Sequence, residues 1–185
     1  MVQEYKQILT PEECQHVINL ASPYLEQAGL LGGNELDNYR VAQGTWLFDY
    51  DTLLHEIKTI VASLTRLPIE NQEAPHVVYY TQGGEYKVHY DYFIEGEEYY
   101  NEEVAKGGQR RYSVLFYLND VPKGGETHFP NIDQTTHPEL GKVVVWDNVD
   151  KNGVPYKDSL HAGLPVTEGE KWILIFWVRE NKFTL

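Results

Sequence analysis

The stretch YKVHYDYF, residues 86–93, sets His89 and Asp91 two positions apart in a run dense with aromatic and β-branched residues. In a β-strand, residues two apart point to one face, so an imidazole and a carboxylate would converge above one patch of sheet. One neutral imidazole and one carboxylate suit a borderline divalent metal. A second imidazole from a facing strand would complete a facial triad with positions left open for substrate and oxygen, as in non-haem Fe(II) oxygenases. The polar face of an ordinary sheet would give the same local pattern. What decides between them is whether the rest of the chain supplies the third ligand.

The residues around this stretch read as a succession of strands. After Pro75, VVYYT, YKVHYDYF, RYSVLFYL, KVVVW and WILIFWV are short β-rich runs separated by Gly, Pro, Asn and Asp. Before Pro75 the periodicity is helical. In TPEECQHVINLA, Thr10 suits an N-cap, Pro11 the first turn and Glu13 a capping box. Cys14, Val17, Ile18 and Ala21 follow at helical spacing. Gly29, Gly32 and Gly33 end that pattern. A second helix is expected after Asp51, with Leu53, Ile57, Ile60, Val61 and Leu64 as its apolar stripe and Pro68 as its stop. A short strand is expected near YRVAQGTWLF. Helices followed by strands with no helical crossovers predict an α+β protein, mainly β, built on an antiparallel sandwich or barrel.

Composition narrows the partners. The chain has 185 residues, room for one domain with a real core. Its single cysteine, Cys14, excludes an internal disulfide and a four-cysteine zinc site. The formal net charge of −13 disfavours a nucleic-acid partner and would steer in a basic peptide, or it serves solubility alone. EGEEYYNEE, 95–103, reads as a solvated loop. Neither a signal peptide, a retention signal nor a membrane-spanning run is seen, so a cytoplasmic location with no membrane association is expected.

Among seven histidines, His161 in DSLHAGLPV is the best third ligand. It precedes the final strand, with room for several antiparallel strands between it and His89. Lys171 heads an almost wholly apolar run and shares parity with Ile173, Ile175 and Trp177. If that face lines a pocket, an anionic ligand group is its natural partner, because a buried ammonium without one is costly. Each piece also has an ordinary reading: His161 as structural, Lys171 at a solvated edge, and Gly124-Gly125 as a hairpin turn only. The tyrosines, among them Tyr79, Tyr90, Tyr92, Tyr99 and Tyr100, fit either an aromatic groove for a polyproline-type peptide or core packing. Those of the 93–110 loop are the better groove candidates.

Taken together, VVYYTQGGEYKVHYDYF, GGQRRYSVLFYLNDVPKGGETHFP, GKVVVWDN and SLHAGLPVTEGEKWILIFWVRE resemble the prolyl 4-hydroxylase group of 2-oxoglutarate- and Fe(II)-dependent dioxygenases. YRVAQGTWL resembles the family's RTSxGxFL stretch more loosely, with RVAQ at 40–43 in place of the usual residues. The resemblance implies a double-stranded β-helix, or jelly-roll, with helices packed on one sheet. It implies one catalytic domain over 1–185, with helical support in 1–75 and the jelly-roll in 76–185. It also implies iron held by His89, Asp91 and His161, and 2-oxoglutarate held by Lys171 and Tyr80 with Ser113 nearby. Tyr86, Arg110 and Trp177 fall where the family meets its substrate.

The expected reaction is 4-hydroxylation of peptidyl proline with O2 and 2-oxoglutarate as cosubstrates, giving succinate and CO2, with ascorbate as reductant. The alternatives are a 2-oxoglutarate dioxygenase acting on a non-prolyl or small-molecule substrate, and a non-catalytic jelly-roll binding module.

Overall fold

The structure is a computed structural model that describes residues 2–29, 39–48 and 51–185. The expected glycine break at Gly32 and Gly33 lies outside them. The N-terminal part holds β1 (Val2–Tyr5), α1 (Pro11–Ala21), β2 (Glu26–Gln27), β3 (Arg40–Val41), β4 (Gln43–Trp46) and α2 (Thr52–Thr65). Then follow β5 (His76–Tyr80), β6 (Glu85–His89), α3 (Tyr100–Ala105), β7 (Arg110–Tyr117), β8 (Lys123–Gly124) and β9 (Thr127–Phe129). The chain closes with β10 (Gln134–Thr136), β11 (Val143–Asp147), β12 (His161–Gly163), β13 (Val166–Glu168) and β14 (Lys171–Arg179).

Both expected helices form, α1 with the cap read from the sequence. Thr10 and Glu13 exchange capping-box hydrogen bonds at the start of α1. Asp51 caps α2 by accepting from the Leu54 N–H at 3.0 Å. Asp51 also meets His16 Nε2 at 2.8 Å, so the same carboxylate ties α2 to α1. On α2 the buried residues are Leu54, Ile57, Val61 and Thr65, with Leu53, Ile60 and Leu64 only partly covered. The stripe is therefore rotated slightly from the one expected.

Two antiparallel sheets face each other. The larger runs β1-β11-β7-β14-β5-β4-β2 and the smaller β10-β9-β12-β6-β3, and a separate ribbon pairs β13 with β8. This is the jelly-roll architecture. The larger sheet divides its residues by parity. On β14, Trp172, Leu174, Phe176 and Val178 pack with Cys14, Val17, Ile57 and Val61 of the helices. Ile173, Ile175 and Trp177 face the other way, meeting Val78, Leu115, Tyr117 and Phe129 inside the sandwich. Both faces are covered, which explains why these strands are apolar throughout rather than alternating.

The first 75 residues are not purely a helical support. β1, β2 and β4 are paired into the larger sheet and β3 into the smaller. The 93–110 loop is not wholly irregular either, since α3 forms within it. Lys106 pairs with Glu102 and Glu103 one turn back, and Arg179 donates to the Glu103 carbonyl at 2.8 Å, so local ion pairs and the C-terminal strand hold that helix. Among the described residues, no helix is long and apolar enough to cross a membrane.

Candidate metal centre and ligand cleft

β6 and β12 are neighbours in the smaller sheet, and their register sets His161 directly opposite His89. This pairing closes the long gap in sequence between the two imidazoles. Asp91 arrives by a different route from the one expected. β6 ends at His89, and Asp91 lies in the bend that follows, so the turn of the chain rather than strand parity brings its carboxylate inward. Its Oδ1 lies 3.7 Å from His89 Nε2 and its Oδ2 3.7 Å from His161 Nε2. One ligand atom from each of the three lies within 4.8 Å of the others.

Each imidazole is oriented by the same local device. His89 Nδ1 lies 2.7 Å from the Lys87 carbonyl, and His161 Nδ1 lies 2.8 Å from the Ser159 carbonyl. A carbonyl can only accept, so each Nδ1 carries the proton and each Nε2 is left as a free donor atom. Burial and the neighbouring His161 hold the His89 imidazolium form down to about 3, so the ring is neutral near pH 7. Burial raises the Asp91 carboxyl, but His161, His89, Arg110 and the Ser113 hydroxyl outweigh it and leave its pKa below the usual range. Two imidazoles and one carboxylate form the donor set of a divalent transition metal. Tyr86 stacks on His89 with ring centres 3.5 Å apart, and Trp146 and Phe129 pack around His161.

The triad borders a cleft inside the sandwich whose walls include Tyr80, Thr127, Lys171 and Trp177. Lys171 is 2% exposed on the inward parity of β14, with its Nζ 5.1 Å from the Tyr80 ring centre and 5.6 Å from that of Tyr117. Among the described residues, no carboxylate forms an ion pair with that ammonium. Burial pulls its pKa from 10.5 to about 7, opposed by Glu126. A buried cation without an anion, facing a metal-binding triad across one cleft, fits a ligand with an acid group at its far end. Gly125, with φ +73°, leaves room for this side chain, since a Cβ there would stand 3.2 Å from Lys171 Cδ.

The remaining expected residues fall in three places. Tyr86 and Trp177 line the cleft. Arg110 is buried in a two-pronged pair with Glu73 at 2.7 and 2.8 Å, its guanidinium 3.9 Å from the Trp177 ring centre, so it braces the indole from within the fold. Ser113 is fully buried, and its hydroxyl donates to Asp91 Oδ2 at 2.6 Å. It stands behind the carboxylate, outside the residues that border the cleft.

Several residues were missed. Arg40 and Thr127 border the cleft, and His76 is stacked between Trp46 and Trp177. Among the described residues, the buried polar atoms Arg40 Nε, His76 Nδ1 and Trp177 Nε1 have no hydrogen-bond partner. Thr127 sits in GGETHFP and Arg40 in YRVAQ, both already singled out, but which way their side chains point depends on strand pairing. An open depression on α1, bordered by Pro11, Gln15 and His16, carries no comparable cluster.

A jelly-roll that brings two histidines and an aspartate to the wall of an internal cleft is the arrangement of a non-haem metal oxygenase. Comparison with known proteins agrees. A family model described as the 2OG-Fe(II) oxygenase superfamily matches residues 75–179. A relative from Acanthamoeba polyphaga mimivirus, provisionally named prolyl 4-hydroxylase, is 34% identical over 96% of this chain and 73% of its own. Prolyl 4-hydroxylase 2 of Arabidopsis thaliana is 31% identical, over 97% of this chain and 67% of the relative. Among solved structures, the viral collagen prolyl hydroxylase of Paramecium Bursaria Chlorella virus-1, in complex with 2OG, superposes with a TM-score of 0.78. It is 25% identical and is covered over 95% of its chain and 96% of this one. The chain belongs to the prolyl 4-hydroxylase family within the 2OG-Fe(II) oxygenase superfamily, and is a dioxygenase.

Proposed function

We propose that this chain hydroxylates peptidyl proline at C4, using Fe(II), O2 and 2-oxoglutarate, with ascorbate as reductant. The observation that carries the reading is the pairing of two features across one cleft: the His89–Asp91–His161 triad and the buried ammonium of Lys171. The prolyl 4-hydroxylase names of the relatives support proline as the substrate. β1, β2 and β4 pair into one sheet with the C-terminal strands, which supports 1–185 as one catalytic unit.

His89, Asp91 and His161 would hold the iron through two Nε2 atoms and a carboxylate. The iron, when bound, supplies the activation of O2 coupled to oxidative decarboxylation of 2-oxoglutarate. Lys171 would bind the distal carboxylate of the cosubstrate, with the Tyr80 hydroxyl beside it. The charge-assisted contact is strong because the pocket excludes water. The apolar faces of Ile173 and Ile175 keep the cosubstrate chain desolvated. Trp177 and Tyr86 would border the peptide at the mouth. Since the reaction needs no side-chain base, the protein's work is to orient and to shield.

The test is an incubation with Fe(II), ascorbate, 2-oxoglutarate and a proline-rich peptide library, reading succinate and peptide mass together. One oxygen added to proline, absent with His161→Ala, is the expected result. Succinate without peptide modification would overturn the substrate and leave the oxygenase. Metal binding with no succinate for any peptide would favour a non-catalytic module.

A further inference from the structure

Ser113 lies in the middle of the larger sheet, opposite Trp146 of β11 on one side and Trp177 of β14 on the other. Its side chain points inward and is fully buried, as is Asn148, one residue past the end of β11. Asn148 Nδ2 donates to Ser113 Oγ at 2.8 Å, and Ser113 Oγ donates to Asp91 Oδ2 at 2.6 Å. The direction of this relay follows from the chemistry. An amide NH2 can only donate, so the serine oxygen must accept from it, and the serine proton is left for the carboxylate. Turning the amide round would draw the serine proton to Asn148 and leave a buried carboxylate oxygen without its donor. Asn148 is itself anchored: its N–H donates to the Arg111 carbonyl at 3.0 Å, and its carbonyl accepts from Tyr156 at 2.9 Å.

Among the described residues, Ser113 is the one side-chain hydrogen-bond donor to the Asp91 carboxylate. Asp91 Oδ1, facing His89 Nε2, takes no such bond. The terminal torsion of an aspartate is broad and two-fold, so an unheld carboxylate would offer either oxygen in many orientations. Oδ2 also lies 3.7 Å from His161 Nε2, but it is held by the serine, which leaves Oδ1 as the carboxylate oxygen free of a side-chain hydrogen bond among the described residues.

We propose that Ser113 and Asn148 are positioning residues for the metal. Together they pin Asp91 Oδ2, present Oδ1 as the ligating oxygen, and thereby set the affinity of the site for a divalent cation. This places Ser113 behind the iron ligand rather than on 2-oxoglutarate, and it rests on the metal-binding reading above. Partners that orient a ligating carboxylate typically contribute 10- to 100-fold in metal affinity when removed.

The experiment is a Co(II) titration of the full chain followed by its visible absorption bands, then a 2-oxoglutarate titration at saturating Co(II). Ser113→Ala is expected to weaken Co(II) binding about 10-fold or more, and to leave 2-oxoglutarate affinity at saturating metal unchanged. Ser113→Thr, which keeps the hydroxyl, is expected to restore Co(II) binding, and Asn148→Ala to give a smaller loss. Wild-type Co(II) affinity in Ser113→Ala overturns the proposal. So does weakened 2-oxoglutarate binding at unchanged metal affinity, which would return Ser113 to the cosubstrate. If Ser113→Ala does not fold, Asn148→Ala decides, and unaltered Co(II) affinity and bands there overturn the relay. Failure of the unsubstituted chain to bind Co(II) would sink the metal site itself, a result separate from any effect of the variants.

Discussion

Replacing Lys171 with methionine should make the protein more stable and less able to bind 2-oxoglutarate. The two effects have one cause. Lys171 is 2% exposed, its Nζ lies over the Tyr80 and Tyr117 rings, and Glu126 acts on it as a counter-charge without an ion pair among the described residues. Pulling its pKa from 10.5 to about 7 corresponds to about 5 kcal/mol against the charged form, at about 1.4 kcal/mol per pH unit. The sign follows from proton counting. Between about pH 7 and 10.5 the unfolded chain binds this proton and the folded one does not, so stability falls as pH is lowered through that window. Below about pH 7 the loss is complete.

Methionine fills similar space with no charge to desolvate. Realising even about 2 kcal/mol of that ceiling raises the Tm by roughly 4–8 °C for a chain of this size. The binding effect runs the other way. Losing one partner of a buried charge pair costs about 2–5 kcal/mol, or roughly 30-fold to more than 1,000-fold in Kd. The assay is a pair of thermal melts at pH 6.5 with Mn(II), with and without 2-oxoglutarate. Wild type should gain about 2.7 kcal/mol at a cosubstrate concentration 100 times its Kd, whereas Lys171→Met should start higher and gain about 0.9 kcal/mol or less. Equal 2-oxoglutarate affinity in the two proteins would remove Lys171 from the cosubstrate site. A lower melting temperature for the cosubstrate-free variant would refute the uncompensated burial.

The wild-type affinity for 2-oxoglutarate should be flat below about pH 7 and weaken by up to about tenfold per pH unit above it, because binding needs the charged ammonium; isothermal titration across that range checks it. Gly125→Ala should weaken 2-oxoglutarate binding at unchanged Co(II) affinity, because the new methyl meets Lys171 Cδ at 3.2 Å in a backbone conformation that costs an L-residue about 1–2 kcal/mol. Glu73→Gln leaves Arg110 and Arg179 buried without their shared carboxylate, and should cost about 3–5 kcal/mol, read as a fall in Tm of roughly 10 °C. Asp51→Ala removes the α2 cap and the tie to His16. About 1 kcal/mol should be lost at neutral pH, shrinking as pH falls through the depressed pKa of that carboxyl, as denaturant melts at several pH values would show.

The elements that announced themselves in the sequence were those governed by local chemistry. Thr10, Pro11 and Glu13 specify a helix start without reference to anything distant, and α1 begins where they place it. The strands after Pro75 were legible because β-branched and aromatic residues crowd together there, and the parity of Lys171 with Ile173, Ile175 and Trp177 survives in the folded sheet. Features that depend on two distant segments meeting were not legible. Nothing in YKVHYDYF says that the strand stops at His89 and that Asp91 turns in from a bend. Nothing in RRYSVLFYL says that Ser113 stands behind Asp91, since that requires β7 to lie beneath the end of β6. The Glu73–Arg110–Arg179 cluster joins three stretches far apart in the chain, so Arg110 alone was matched to the substrate groove. α3 was hidden because its acidic run looks solvated until Lys106 and Arg179 are brought to it.

β14 assigns its odd and even positions to different jobs. Residues 172, 174, 176 and 178 join the sheet to the helices, whereas 171, 173, 175 and 177 face the cleft. A saturation scan of this strand should therefore return two interleaved signals from one stretch of nine residues. Variants at the even positions would be depleted by any screen for folded protein. Variants at the odd positions would often pass that screen and fail one for turnover. The strand would register as a two-residue beat in the difference between the screens. In a relative, a shift of that beat by one position would mark a slipped register from mutational data alone.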